Sequence, residues 1–174
     1  GVRPGWNYMI FQSVHAVDLA RHLAGEIVSV YATRTVGQEG RFALLCSVTF
    51  ASGATGAITL SGCTPNWTCQ LEAAGDARAH LRLINLHTLQ FEPHTPESGY
   101  YPNPGIPGYY WNPATRDNAE KRSGYWGQMQ AFAQAVRSGQ PNRPSLRDAH
   151  RAMVVCDAML DSIDQRTPID LPVA

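Results

Sequence analysis

The sequence is short of net charge and of any feature that would draw it to a polyanion. Its 174 residues carry 14 Lys plus Arg against 14 Asp plus Glu, a balance that excludes nucleic-acid or anionic-membrane binding through a general field. No run approaches the roughly 20 apolar residues of a membrane span, and the first residues lack the charged-then-apolar order of a signal peptide. A soluble, cytoplasmic chain is expected. There is no Gly-x-Gly-x-x-Gly behind a strand and no Walker-type loop, so the chain has no evident cradle for a dinucleotide pyrophosphate. It opens on Gly1 rather than methionine, as expected of a piece of a longer protein.

Paired-cysteine motifs are missing as well. Cys46, Cys63, Cys69 and Cys156 form no Cys-x-x-Cys, and three of them lie inside apolar alternation, so buried free thiols are expected. His80, His87 and His94 recur every seven residues, but on strands an odd spacing sends neighbours to opposite faces, which argues against a metal site. Asn66-Trp67-Thr68 has the form of a glycosylation triplet in a chain with no other secreted character.

What is present is a core, at 44% hydrophobic residues, of the size expected for one domain. Ile10, Val14, Val17, Ala20 and Ala24 recur at three- and four-residue steps, predicting a helix that stops at Gly25. The period then falls to two in Val28, Val30 and Ala32, and again in Phe42, Leu44, Cys46, Val48 and Phe50. Further strands are predicted over 57–62, 68–74, 79–84 and 88–91, so about five or six strands should form a mainly antiparallel sheet. Residues 92–124 hold Pro93, Pro96, Pro102, Pro104, Pro107 and Pro113 among Tyr100, Tyr101, Tyr109, Tyr110 and Trp111. They read as a long loop that packs on a neighbouring subunit or on its own sheet. Trp126, Met129, Phe132, Ala133 and Val136 share a helical face that ends at Ser138-Gly139. Ser145 and Asp148 have the spacing of a capping box, with Ala149, Met153, Cys156, Leu160 and Ile163 as the expected buried stripe of a last helix. The fold class is α+β, with a mainly antiparallel open-faced sheet and helices on one face. Apolar residues on both faces of the strands predict that a second subunit covers the other side.

Chemistry is concentrated on the first helix, where Phe11, His15, Asp18 and His22 form a second face. An imidazole titrates near working pH and suits removal of a hydroxyl proton. His15 is the candidate base, with Asp18 close enough to orient it. A structural pair at a helix-packing seam is the other reading of the same spacing.

His15-Ala16-Val17-Asp18-Leu19-Ala20-Arg21-His22-Leu23-Ala24-Gly25 resembles the segment His-x-x-Asp-hydrophobic-x-Arg-x-Leu-x-Gly at the start of the C-terminal domain of Gfo/Idh/MocA oxidoreductases. Further matches follow in order: Ser52-Gly53-Ala54-Thr55-Gly56, Leu71-Glu72-Ala73-Ala74-Gly75, the run from Phe132 to Gly139, then Asp148, Ala149, Ser162 and Pro168-Ile169-Asp170-Leu171. The resemblance implies the C-terminal, substrate-facing domain of an NAD- or NADP-dependent sugar or polyol dehydrogenase. Its fold would be like the C-terminal domains of dihydrodipicolinate reductase and glyceraldehyde-3-phosphate dehydrogenase. The dinucleotide would be held by an N-terminal Rossmann domain absent from residues 1–174, and the open sheet would build a homo-oligomer.

The resemblance also implies that His15 contacts the reacting hydroxyl, helped by a lysine from the absent domain. Lys121, the lysine present here, lies in the wrong segment for that role. Polyol dehydrogenases of this kind commonly place an aspartate four residues before the histidine, where this sequence has Phe11, with Gln12 beside it as a polar substitute. Asn66 and Trp67 occupy the region where related enzymes contact sugar. An indole packs against pyranose C–H groups, and an amide bonds to ring hydroxyls. Two readings follow: a catalytic domain with His15 and Asp18 at its centre, and a non-catalytic sugar-binding or assembly module that kept the fold.

Overall fold

A computed structural model describes residues 6–37, 41–65, 68–75, 79–85, 88–93, 109–111 and 124–172. The chain divides into two compact units, Gly1–Pro65 with Pro141–Ala174, and Asn66–Gln140.

The first unit begins with one helical segment in three parts: a turn α1 (Trp6–Tyr8), a π-helical turn (Met9–Ser13) and α2 (Val14–Ala24). Of the predicted apolar row, Val17 is fully buried and Val14, Ala20 and Ala24 pack partly buried against the core, while in the π-helical turn Met9, not Ile10, is the fully buried residue. Gly25 ends it at φ 94, a left-handed value that glycine adopts without a Cβ penalty. Strands β1 (Ile27–Val36), β2 (Phe42–Phe50), β3 (Thr55–Ser61) and β8 (Ile169–Asp170) form an antiparallel sheet in the order β3-β2-β1-β8. In β2 the alternation is strict: Phe42, Leu44, Cys46, Val48 and Phe50 are buried, while Leu45, Ser47 and Thr49 are exposed. In β1 a register shift between Ile27 and Ser29 resets the pleat. Ile27, not Val28, therefore joins Val30 and Ala32 in the core.

The last helix, which we label α4 (Leu146–Gln165), packs against β1 and α2. Its capping box is formed as predicted, with Ser145 Oγ accepting from the Asp148 amide at 3.3 Å and Asp148 Oδ2 accepting from the Ser145 amide at 2.7 Å. Its buried stripe sits differently. Ala152, Val155, Cys156, Met159 and Leu160 are buried, whereas Ala149 and Met153 are exposed and Ile163 is half-buried. The expected 149-153-156-160-163 row is thus one flank of the packed face, whose centre is Ala152, Val155 and Met159 and whose opposite flank carries two buried polar anchors, Arg151 and Ser162. Each core side chain of Leu, Ile, Val or Met size contributes roughly 1.5–3 kcal/mol through burial.

In the second unit β4 (Gln70–Ala74), β5 (His80–Ile84), β6 (Thr88–Glu92) and β7 (Tyr109–Trp111) form an antiparallel sheet in that order. The strands are therefore shared between two four-stranded sheets, where the sequence suggested one. After β3, Gly62 still donates to the Phe42 carbonyl at 2.9 Å, but the Cys63 amide turns onto Ser61 Oγ at 3.1 Å ahead of Pro65, and the chain leaves the ladder. The registers Glu72↔Arg82↔Gln90↔Tyr110 and Leu71↔Leu83↔Leu89 give this sheet one polar and one apolar face. Helix α3 (Tyr125–Ser138) runs from Gly124 to Gly139. Its apolar row, Trp126, Met129, Phe132 and Val136, is present but exposed. Strand β7 lies within the expected proline and tyrosine loop, and the remainder of residues 94–123 falls outside the described residues.

Candidate functional site

The segment carrying His15 is anchored from beneath. Met9 and Ser13 are fully buried one turn apart, and Ser13 Oγ donates to Met9 Sδ at 3.1 Å. Cys156 Sγ reaches the Met9 carbonyl from α4 at 3.9 Å, and the Tyr8 ring meets the edge of Phe42 with centroids 4.7 Å apart. Burial, and then the nearby Cys63, raise the Tyr8 hydroxyl above its ordinary pKa. π-helical turns occur often at functional sites, and this one carries Phe11 and Gln12.

Phe11, Gln12, His15 and His22 are exposed on the outer side of this segment, with Asp18 half-exposed among them. Four of the residues singled out from sequence, Phe11, Gln12, His15 and Asp18, are thus brought together on one helix. Asn66 and Trp67 lie outside the described residues, and so does Lys121.

Asp18 is engaged by Arg21, not by the His15 ring. Arg21 Nη1 stands 3.4 Å from Asp18 Oδ1 and donates to the Asp148 carbonyl at 2.9 Å. Its Nε and Nη2 bind both oxygens of Glu26, at 3.2 and 2.6 Å. Arg151 of α4 shares that carboxylate, with Nε 3.1 Å from Glu26 Oε2, and also donates to the Ile27 and Pro172 carbonyls. One carboxylate therefore ties the end of α2, the start of β1 and the body of α4 to the C-terminal segment. Hydrogen bonding from Arg21 first, against an opposing effect of burial, and then from Arg151, holds the Glu26 carboxyl below its usual range. The sequence reading missed this cluster. Its visible trace was Arg21, three residues after Asp18 within the quoted segment and turned toward the packed side.

The four cysteines are free, and only Cys46 and Cys156 are buried, whereas Cys63 is exposed and Cys69 intermediate. The expectation of buried thiols holds for the two core positions alone, because Cys63 follows the end of β3 where the chain turns outward. Burial pushes the Cys46 and Cys156 thiols up to about 12. His80 Nε2 is 2.7 Å from Glu72 Oε1 and Nδ1 is 3.5 Å from Glu92 Oε2, with Arg82 Nη2 3.4 Å from the same Glu72 oxygen. This is a hydrogen-bonded polar ladder on one face of the second sheet, and hydrogen bonding with His80, followed by the charge of Arg82, lowers the Glu72 carboxyl. Among the described residues no group of three metal-ligating side chains comes together. His87 and His94 lie outside the described residues. A cavity of about 530 Å³, lined by Tyr31, Arg34, Val36, Ile163, Asp164 and Arg166 among others, contains none of the catalytic or substrate-binding candidates read from the sequence.

The start of α4 is occupied by its own Asp148 carboxylate, and α2 continues directly from the π-helical turn with no open amino end. None of the described helices is long and apolar enough to cross a membrane.

A helix-covered antiparallel sheet with a histidine-bearing helix face turned outward defines an α+β domain. The sequence matches the family described as "Oxidoreductase family, C-terminal alpha/beta domain" over residues 8–171. The chain belongs to the Gfo/Idh/MocA oxidoreductase family and spans its C-terminal domain. Among solved structures it is similar to a dehydrogenase from Chromobacterium violaceum, with a TM-score of 0.80 at 19% identity over 95% of this chain and 48% of that one. It is also similar to levoglucosan dehydrogenase in complex with NADH, with a TM-score of 0.78 at 18% identity over 94% and 50%. A third is an oxidoreductase from Agrobacterium radiobacter in complex with NAD+, L-tartaric acid and magnesium, with a TM-score of 0.71 at 14% identity over 91% and 47%. The chain thus spans about half the length of these structures, and the likeness is one of fold. No curated protein matches the sequence.

Proposed function

We propose that this chain is the substrate-facing half of an NAD- or NADP-dependent oxidoreductase that moves hydride between a nicotinamide and a sugar, polyol or related secondary alcohol. In this reading the dinucleotide is held by an N-terminal Rossmann domain beyond residues 1–174. Oxidation of a secondary alcohol removes a hydride from carbon and a proton from oxygen. The nicotinamide, when bound, supplies the hydride acceptor. His15 takes the hydroxyl proton on its ring and returns it in the reverse reaction, while the Asp18 carboxylate stabilises the charged ring or bonds a neighbouring hydroxyl. Phe11 and Gln12 flank the reacting carbon from the preceding turn.

The observation that carries this reading is the outward row of Phe11, Gln12, His15 and Asp18 on a helix clamped from its inner side in a chain of an oxidoreductase family. The solved neighbours named as dehydrogenases with NADH or NAD+ support the cofactor class, and those holding levoglucosan or L-sorbose support the substrate class. Phe11 favours a second reading, a sugar-binding or assembly module without turnover, because an exposed phenyl ring stands where a carboxylate would complete a proton relay. The uncovered face of the first sheet, with Tyr31 and Leu45 exposed, supports a homo-oligomer closed through that face.

The test is dinucleotide binding and turnover by the full-length protein against a panel of sugars, polyols and sugar acids, with and without His15→Ala. Loss of about a hundredfold or more in kcat with dinucleotide affinity unchanged is the expected result. Binding of dinucleotide by the unaltered protein with no turnover across the panel would favour the second reading.

A further inference from the structure

Asp18 has one partner among the described residues, Arg21, and only its Oδ1 is engaged. The Arg21 guanidinium is itself immobilised from outside α2. Two of its nitrogens lie on the two oxygens of Glu26, beyond the helix end, and Nη1 also donates to the Asp148 carbonyl in the first turn of α4. The Arg21 side chain is only 6% exposed. A planar fork held along one edge and at a far carbonyl has no orientational freedom left. Its remaining contact therefore delivers a fixed positive donor to a carboxylate that sits three residues from His15 on the outward row.

We propose that Arg21 is a positioning residue for the proton-transfer pair: it fixes the Asp18 carboxylate in one orientation relative to α4 and β1, so that the other oxygen is presented to the His15 ring or the substrate hydroxyl. This rests on the reading that His15 and Asp18 carry the proton step. Arg151 is the built-in control. It binds the same Glu26 carboxylate at 3.1 Å and is nearly as buried, yet its other contacts are the Ile27 and Pro172 carbonyls, and it does not touch Asp18. Loss of either arginine removes an ion pair to Glu26, but only loss of Arg21 frees Asp18.

The experiment is a double-mutant cycle in the full-length enzyme, with kcat and KM read separately for Asp18→Asn, Arg21→Gln, the double variant and Arg151→Gln. Arg21→Gln should lower kcat by about tenfold or more with KM within about threefold, while Arg151→Gln, which lowers the melting temperature similarly, keeps kcat within about twofold. The double variant should turn over no more slowly than Asp18→Asn alone, because both substitutions remove one arrangement. If Arg21→Gln does not fold, Arg21→Lys is read in the same cycle. Additive losses, or an equal fall in kcat for Arg151→Gln, overturn the positioning role. If His15→Ala keeps full turnover, the functional reading fails and this inference with it. A loss in His15→Ala combined with additivity in the cycle removes this inference alone.

Discussion

At the scale of the residue, Glu26 concentrates more of the first unit's polar energetics than any position the sequence reading emphasised. Two guanidiniums that are 6% and 10% exposed depend on one carboxylate that is itself 31% exposed. Removing one partner of a buried ion pair costs about 3–5 kcal/mol. Water reaches Glu26 and screens part of that, so Glu26→Gln is expected to cost ~2 kcal/mol in urea unfolding. The pH dependence has a definite sign. Because the folded-state pKa of Glu26 lies below its ordinary 4.5, its contribution is complete above the unfolded value and disappears as pH falls through the folded one. Thermal stability of the unaltered chain should therefore drop on acidification below about pH 4.5, with a shallower slope in Glu26→Gln. Equal slopes would show that the carboxylate is not held as the structure indicates. The outward placement of His15 and Asp18 was legible in the sequence because a polar row interrupts an apolar period. Glu26 was not, because a single acid just beyond a helix-stopping glycine shows no periodicity until the fold brings α4 beside it.

At the scale of the element, the polar anchors decide how α4 sits. Ser162, fully buried, accepts the Ala32 amide at 3.0 Å and donates to the Thr167 carbonyl at 2.7 Å, joining the last turn of α4 to the middle of β1. Beyond Val30 that edge of β1 has no partner from β8, which pairs with Ser29 and Val30 only. Ser162 thus takes the place of a strand at Ala32. Ser162→Ala should leave the Ala32 amide buried without an acceptor and cost ~1–3 kcal/mol, measured as a shift of the unfolding midpoint with unchanged slope. A neutral result would mean that water reaches the amide. Strands were read well where alternation is strict, as in β2, and poorly where the ladder shifts, as at the start of β1. Two short strands, β7 and β8, were missed because three or two residues are too few to show a period. The packed face of α4 was read one flank off, since the buried Arg151 and Ser162 lie on its opposite flank and a search for apolar residues passes over them.

At the scale of the whole molecule, the first sheet has a finished side and an unfinished one. Leu44 is buried at 1% exposure and Leu45, its neighbour in β2, is 50% exposed. Around Leu45 the register places Thr33 on one side and Thr59 on the other, with Tyr31 opposite Ser47. Such a face, with small hydroxyl side chains around two large apolar ones, can lie flat against another sheet without leaving polar groups stranded, because threonine and serine can bond across the seam. A two-fold arrangement would set each Leu45 against the partner's equivalent surface. If that surface closes an oligomer, Leu45→Glu and Tyr31→Glu should each lower the mass of the full-length protein in solution by at least a factor of two, as read by light scattering. Leu44→Ala should instead cost about 2–5 kcal/mol of unfolding free energy with little effect on mass at concentrations where the chain stays folded. The contrast between adjacent leucines separates assembly from core stability. An unchanged mass in both glutamate variants would leave the exposed face as ordinary solvated β-surface, and the two apolar residues on it as the scattered exceptions that monomers tolerate.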